Sequence, residues 1–422
     1  MALILAALSL LLGFLGAPLF ALIGAAGMLA FHHEGIESSA VIVELYRLAS
    51  LPALAAVPLF TFAGYLLAAG KGPQRMVRLA QAAFGWAPGG LAVVAIATCS
   101  LFTAFTGASG VTIIALGGLL YPVFRAEGFP EPFTLGLLAT TGSLGLLFPP
   151  SLAIILYGLV AQVSIDDLFR AALVPGFLIL AALSALSLWE GRSARIPTHP
   201  FSWPKLNDAL RGAAWEIPLP VLVIGGIYGG LFTAPEASAV TVVYVLCVEL
   251  FKHRELDLRV DLPRAMISSM VLVGAIFAMM GAALGLTSWM IDQEIPSRVF
   301  DLLHRYVESK VAFLILLNAF LLVVNMVEIF SAIIIVVPLI VPVAMRYGID
   351  PIHLGIVFLI NLEIGYMTPP LGLNLFLASA RFERPLPKVY RAVLPFWLCL
   401  MAVLLLVTYI PALCLAPLKL FR

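Results

Sequence analysis

Charge is what this sequence has least of. Only 11% of its 422 residues are charged and 62% are hydrophobic, whereas an ordinary soluble domain carries about a quarter of its residues as charge. That density cannot disperse a water-facing surface of this size. The charge present is balanced, 24 Lys and Arg against 23 Asp and Glu. No basic field is left to attract phosphates, which excludes a nucleic-acid partner. Cysteine is sparse too: Cys99, Cys247, Cys399 and Cys414 stand singly inside apolar runs, as small core residues rather than a disulfide framework. The six histidines form no cluster beyond the His32-His33 pair. His-Glu-x-x-His, Gly-x-Ser-x-Gly and a lysine-bearing phosphate loop are all missing, so neither an intramembrane hydrolase nor an ATP-driven pump has its machinery.

Hydrophobic length is what the chain does have. Apolar runs cover 2–31, 51–70, 91–123, 133–161, 168–189, 217–251, 265–291, 311–345, 353–379 and 393–417. A helix crosses hydrocarbon in about 20 apolar residues, so an all-α polytopic membrane protein is expected. No Lys or Arg precedes the first long run, which reads as mature membrane helix rather than a signal peptide. The polar stretches 191–216 and 252–264 read as surface connections. Three segments, Lys71 to Trp86, Trp203 to Glu216 and Ile295 to Val307, are amphipathic and suited to the membrane interface.

A shift of 220 residues superimposes the chain on itself. Pro122 falls on Pro342, Gly128 on Gly348, Gly145 on Gly365, Pro149-Pro150 on Pro369-Pro370, and Pro175 on Pro395. The expectation is two homologous halves, 1–190 and 217–422, joined by the connector 191–216. Each half has a long apolar stretch (91–123 and 311–345) with small or polar residues at its centre. Its sides, about 15 residues each, are too short to span, which predicts a re-entrant hairpin. Each hairpin is followed by a run broken at Gly-x-x-x-Pro-Pro (133–161 and 353–379). Five crossings per half would make the repeats inverted. On that topology two thirds of the 24 Lys and Arg collect on one side, which becomes cytoplasmic and puts both termini outside.

Inverted repeats with broken helices mark secondary transporters, with binding sites near the bilayer midplane. A Pro-Pro pair removes amide donors and frees carbonyls, which must then meet protein, water or a cation. The half-helices after Pro150 and Pro370 direct amides to the same region, where an anion can bind. Two acids lie deep in apolar sequence, Glu328 at the second hairpin tip and Glu363 before the second break. With no Lys or Arg in those runs, Na⁺ or a proton is the natural partner, and Ser331 and Thr368 add oxygens. The first hairpin offers Thr106, Ser109 and Thr112. Asn361 and Asn374 either hydrogen-bond substrate or pack within the bundle.

Thr106-Gly-Ala-Ser-Gly-Val-Thr112, Gly142-Ser-Leu-Gly-Leu-Leu-Phe-Pro-Pro-Ser151 and Gly365-Tyr-Met-Thr-Pro-Pro-Leu-Gly-Leu-Asn374 resemble the large membrane subunit of tripartite ATP-independent periplasmic (TRAP) transporters. Thr233-x-x-Glu236 looks like another stretch of that subunit, and the resemblance covers essentially the whole chain. It implies a bacterial inner-membrane importer of carboxylates, driven by a Na⁺ gradient through an elevator motion. It also implies two partners: a small four-helix membrane subunit and a soluble periplasmic substrate-binding protein. By the same resemblance one Na⁺ lies between Gly107 and Ser109 and the break at Gly145, Phe148 and Pro149. A second lies among Glu328, Ser331, Gly365, Met367 and Thr368, although the family more usually has Asp where Glu328 stands. Ser109, Gly110, Thr112, Ser151, Asn361 and Asn374 are expected to meet the substrate. A single-component Na⁺/carboxylate carrier and an intramembrane enzyme are the competing readings.

Overall fold

The computed structural model describes residues 12, 17–37, 39–197, 200–324 and 329–420. Among the described residues the fold is helical, without strands. The first half contains Leu19–His33 (α1), Ala40–Ala49 (α2), Pro52–Ala69 (α3) and Gly72–Phe84 (α4). Gly90–Thr106 (α5) and Ser109–Ala126 (α6) follow, then Glu131–Thr141 (α7), Leu152–Ala161 (α8) and Ile165–Ser193 (α9). Trp203–Gly212 (α10) connects to Pro218–Tyr228 (α11), Ala234–His253 (α12), Asp261–Asp292 (α13) and Ile295–His304 (α14). The second hairpin and break are Lys310–Val324 (α15), Ile329–Arg346 (α16), Pro351–Gly365 (α17) and Leu373–Phe382 (α18). Leu386–Tyr409 (α19) and Ala412–Leu420 (α20) close the chain.

The helices recur at the shift seen in the prolines. Helices α5 to α9 correspond in order to α15 to α19, and the amphipathic α4 to α14. The left-handed residues that end elements recur as well: Gly128 with Gly348 at the same shift, and Gln162 with Glu383 one residue beyond it. Pro149-Pro150 and Pro369-Pro370 are both cis. Seven described helices (α3, α6, α9, α12, α13, α16 and α19) are long and apolar enough to cross a membrane. Helix α7, continued by the tight turn Leu144–Leu147, bends by 45° into α8. The chain is a multi-span membrane protein.

Three local features differ from the apolar runs. The returning hairpin arms α6 and α16 are 18 residues long, because helix continues past the apolar stretch as far as Ala126 and Arg346. The last run is two helices rather than one: Pro411 has no amide to extend the ladder of α19, so α20 starts afresh. Helix α2 lies in a segment that no apolar run includes. The long run 217–251 divides as expected, with α12 starting at Ala234-Pro235.

The core gathers around the broken helices. Every residue of α17 from His353 to Gly365 is buried. Tyr157 of α8 is fully buried, and its hydroxyl donates to the Pro351 carbonyl at 2.8 Å. The half-helices of the two repeats are thereby packed against one another.

Candidate functional site

Helix α5 stops at Thr106 because Gly107 takes φ 67°, a left-handed conformation that costs a glycine little. The Gly107 amide closes onto the Thr103 carbonyl at 2.8 Å. A Cβ at Gly107 would lie 2.3 Å from the Leu152 side chain, so the hairpin tip rests on the first turn of α8. One at Gly145 would lie 2.3 Å from both the Ser100 carbonyl oxygen and the Ala104 amide nitrogen. The turn after α7 therefore lies directly on the backbone of α5. Thr103 fastens the contact: its hydroxyl is 2.7 Å from that of Thr112, 2.8 Å from the Cys99 carbonyl and 3.0 Å from the Gly142 carbonyl. With a single proton it donates to one carbonyl at a time while accepting from Thr112.

The Thr106 hydroxyl beside this tip is buried and has no hydrogen-bond partner. The last carbonyls of α5 also lack partners within their own helix. Uncharged hydroxyl and carbonyl oxygens are the donor types a hard monovalent cation takes, so the residues at this tip fit Na⁺.

In the second half α17 ends in tight bonds, Met367 amide to Ile364 carbonyl and Thr368 amide to Gly365 carbonyl, both 3.0 Å. The Thr368 hydroxyl donates to the Ile364 carbonyl at 2.7 Å and accepts the Trp397 indole N–H at 2.9 Å. The Tyr366 hydroxyl accepts the amide of Ile329, the first residue of α16, at 3.0 Å. The second break is thus latched to its hairpin arm and to α19.

The two breaks meet. Asn374 donates to the Ala139 carbonyl at 3.2 Å and to Ser143 Oγ at 3.4 Å, while its own Oδ1 is buried without a partner. Thr140 Oγ1 is 3.7 Å from Met367 Sδ. Polar atoms of both halves therefore converge where helix dipoles and freed carbonyls also end. Glu363, in the last turn of α17, is fully buried and neither carboxyl oxygen has a hydrogen-bond partner.

The expected site residues divide into groups. Gly107, Ser109, Thr112 and Gly145 come together at the first tip, Ser109 and Thr112 both buried. Gly110 faces Leu377 of α18, and Asn374 joins the second break to the first. Phe148 turns its ring toward α9, 5.9 Å from Phe177, so only its backbone faces inward. Pro149, with Pro150, forms the break itself. The Ser151 hydroxyl accepts the Ile154 amide at 3.4 Å and so caps α8. Asn361 is carried away to Asn318 and Val357, at 2.7 and 2.9 Å, and Asn318 reaches Thr408 at 3.3 Å. Ser331 is buried in α16 and Gly365 and Met367 in the second break, with Thr368 at its edge. Glu328 lies outside the described residues.

Sequence reasoning missed Thr103, Tyr366, Trp397 and Asn318. The available signal for Thr103 was a hydroxyl one turn before the tip in an otherwise apolar helix. Thr233-x-x-Glu236 is a capping box: Glu236 accepts the Thr233 amide at 2.8 Å and its hydroxyl at 2.9 Å. The Ser/Thr-x-x-Glu spacing is a known helix-start signal.

A multi-span helical protein whose two Pro-Pro breaks meet through buried polar groups has the build of a secondary-transporter permease. Residues 3–413 match the family described as the tripartite ATP-independent periplasmic transporter, DctM component, and the chain belongs to that family. It is 35% identical over 395 residues, 93% of this chain and 92% of the other, to the C4-dicarboxylate TRAP transporter large permease protein DctM of Pseudomonas aeruginosa. It is also 35% identical over 366 residues to the isethionate TRAP transporter permease protein DctMQ of Oleidesulfovibrio alaskensis, covering 85% of this chain and 56% of that one. The crystal structure of the YdaH transporter of Alcanivorax borkumensis has a similar fold. Its TM-score is 0.63 at 16% identity, and the match covers 88% of this chain and 87% of that one. Relatives named as permeases make the chain a TRAP transporter large permease, not an enzyme.

Proposed function

We propose that this permease imports a small organic acid across the bacterial inner membrane, driven by a Na⁺ gradient. A periplasmic binding protein delivers the acid, and a small four-helix membrane subunit completes the assembly. The observation that carries the reading is the junction of the two breaks through Asn374, Ala139 and Ser143, together with the unpartnered Thr106 hydroxyl at the first hairpin tip. Anion charge is met there by half-helix amides and by Na⁺, so the site needs no arginine of its own. Relatives named for C4-dicarboxylate and isethionate support an anionic cargo. The name DctMQ on a longer relative supports a small-subunit partner.

The two halves, 1–190 and 217–422, act as inverted repeats around the 191–216 connector. The hairpins and broken helices, α5 to α8 and α15 to α18, travel together as an elevator against α1 to α3 and α11 to α13. One Na⁺ is held by Gly107, Ser109 and the Gly145–Pro149 turn. The other is held by Glu328, Ser331, Gly365, Met367 and Thr368. Both termini are periplasmic on the charge bias of the loops.

Na⁺ protection of the purified chain against thermal unfolding tests the ion sites without needing a substrate. Na⁺, but not K⁺ or choline, should raise the melting temperature. Glu328→Gln and Ser109→Ala should each shift the Na⁺ titration to higher concentration. Equal protection by all three cations would sink the assignment.

A further inference from the structure

Helix α18 carries a charged group that the two breaks do not use. Asn374, Leu377 and Arg381 are spaced by three and four residues within Leu373–Phe382, so they share one face of the helix. Asn374 stands at the junction of the breaks. Leu377 meets the first hairpin tip, where a Cβ at Gly110 would lie 3.0 Å from it. Arg381 is about 10 Å beyond Asn374 along the axis, at the usual helical rise per residue. Its Nε donates to the Ile114 carbonyl of α6 at 2.9 Å, within the wider π-helical turn Ile113–Gly117. One seam between α6 and α18 thus leads from the candidate site to Arg381.

The far end of the seam is shaped to hold a guanidinium. A Cβ at Gly118 would lie 2.5 Å from Arg381 Cζ and 2.6 Å from its Nε, so the group occupies the space that glycine leaves. One at Gly117 would lie 3.0 Å from the Phe382 ring, which stacks on Tyr121 with centroids 4.9 Å apart. The end of α18 is thereby seated on α6. The next two cations in the chain, Arg384 and Lys388, both reach Glu131. Arg381 is exposed and has no acid partner among the described residues. A guanidinium presents its donors as a planar fork that matches a carboxylate. With Nε engaged, the edge formed by Nη1 and Nη2 is left for an anion.

We propose that Arg381 docks the cargo anion, a carboxylate or sulfonate, at the inner mouth of this seam as it passes between the candidate site and the cytoplasm. That side is cytoplasmic on the charge bias of the loops. The fork lies outside the junction of the breaks, so it acts on release and return rather than on delivery by the binding protein. The inference rests on the anionic cargo of the proposed function.

Phenylglyoxal modification of the full purified chain, read residue by residue by peptide mass spectrometry, tests the docking point without a variant. Succinate or isethionate should slow modification of Arg381 relative to chloride at equal ionic strength, and leave Arg384 unaffected. Equal rates in all three salts would overturn the proposal. So would protection by phosphatidylglycerol nanodiscs alone, which would make the fork a lipid contact. Counterflow of labelled succinate, in proteoliposomes that also hold the small membrane subunit, then reads the internal face. Arg381→Gln should raise the internal half-saturating concentration about tenfold, the loss of one charge-assisted contact, with the dependence on binding protein unchanged. Arg381→Lys should recover part of it, since an ammonium keeps the charge but not the fork. Gly118→Ala pushes the flexible guanidinium aside, keeps every charge, and should match Arg381→Gln. A purely structural tie would lower the melting temperature and leave the internal dependence alone, which overturns the proposal. Protection of Arg381 by these anions without Na⁺-driven uptake would count against the proposed function and leave the docking point standing. Na⁺-driven uptake with an unchanged internal dependence in Arg381→Gln and Gly118→Ala would do the reverse.

Discussion

Gly145→Ala is the most direct probe of how the first break is held. Its Cβ would sit 2.3 Å from the Ser100 carbonyl and the Ala104 amide and 2.6 Å from Thr103 Cβ. These are mainly backbone atoms in the middle of α5, so no rotamer change relieves the clash. The turn must lift from the hairpin arm. Overpacking of this kind costs about 1–3 kcal/mol. It also parts Thr103 from the Gly142 carbonyl, which removes a buried hydrogen bond on the same surface. Gly274 in α13 is the matched control: a Cβ there meets nothing within 4 Å. Gly274→Ala should therefore stabilise, by about 0.5–1 kcal/mol, through the lower backbone entropy of alanine in a helix. Thermal unfolding of the detergent-solubilised chain, followed by tryptophan fluorescence, should move in opposite directions for the two variants. Only Gly145→Ala should weaken protection by Na⁺. If both variants unfold alike and titrate with Na⁺ alike, the turn is not seated on α5 as described.

Thr103→Val keeps the shape but removes the hydroxyl shared with Thr112 and Gly142, leaving buried partners unpaired at a cost of about 1–3 kcal/mol; Na⁺ protection measured alongside stability should fall with it. Arg75→Met should cost about 3 kcal/mol, because it strands the Glu216 and Glu255 carboxylates it now pairs, and chemical denaturation of the purified chain reads the loss. The Glu255 carboxyl titrates below the ordinary glutamate range: burial opposes this, and the Lys71 amide and the Arg75 guanidinium outweigh it. A lowered folded-state value means its stabilisation is complete above the unfolded glutamate range, roughly pH 4.3, and is lost as pH falls through the lower folded value. Proteolysis near 71–75 should accelerate only on that acid side, and Glu255→Gln should remove the dependence.

Much of the architecture was legible because it rests on residues with few alternatives. Proline cannot donate an amide and glycine takes left-handed backbone angles at least cost, so Pro149-Pro150 and Pro369-Pro370 announced the breaks. Gly128 and Gly348 marked equivalent turns. Hydrophobic run length located the spans, although Pro411 had to be read as a helix start to separate α20 from α19. What stayed hidden depends on contacts between distant segments. Nothing near Arg75 in sequence points to Glu216, Glu249 or Glu255, which lie 141, 174 and 180 residues away. Asn361 and Asn374 looked equivalent in sequence. The fold sends one to Asn318 and the other to the opposite break, because helix rotation, not residue type, chooses the neighbour. Ser151 shows the reverse case: its position after Pro-Pro is equally suitable for a ligand and for a helix cap, and its hydroxyl caps α8.

The central claim is a Na⁺-driven permease that works only with its two partners. Uptake of labelled small carboxylates into proteoliposomes tests it directly. The chain would be reconstituted with the small membrane subunit, and the Na⁺ gradient and the periplasmic binding protein varied independently. Accumulation should require the gradient and the binding protein together, and should be abolished by removing either. Uptake that proceeds on the Na⁺ gradient without the binding protein would contradict the account and make the chain a self-sufficient carrier.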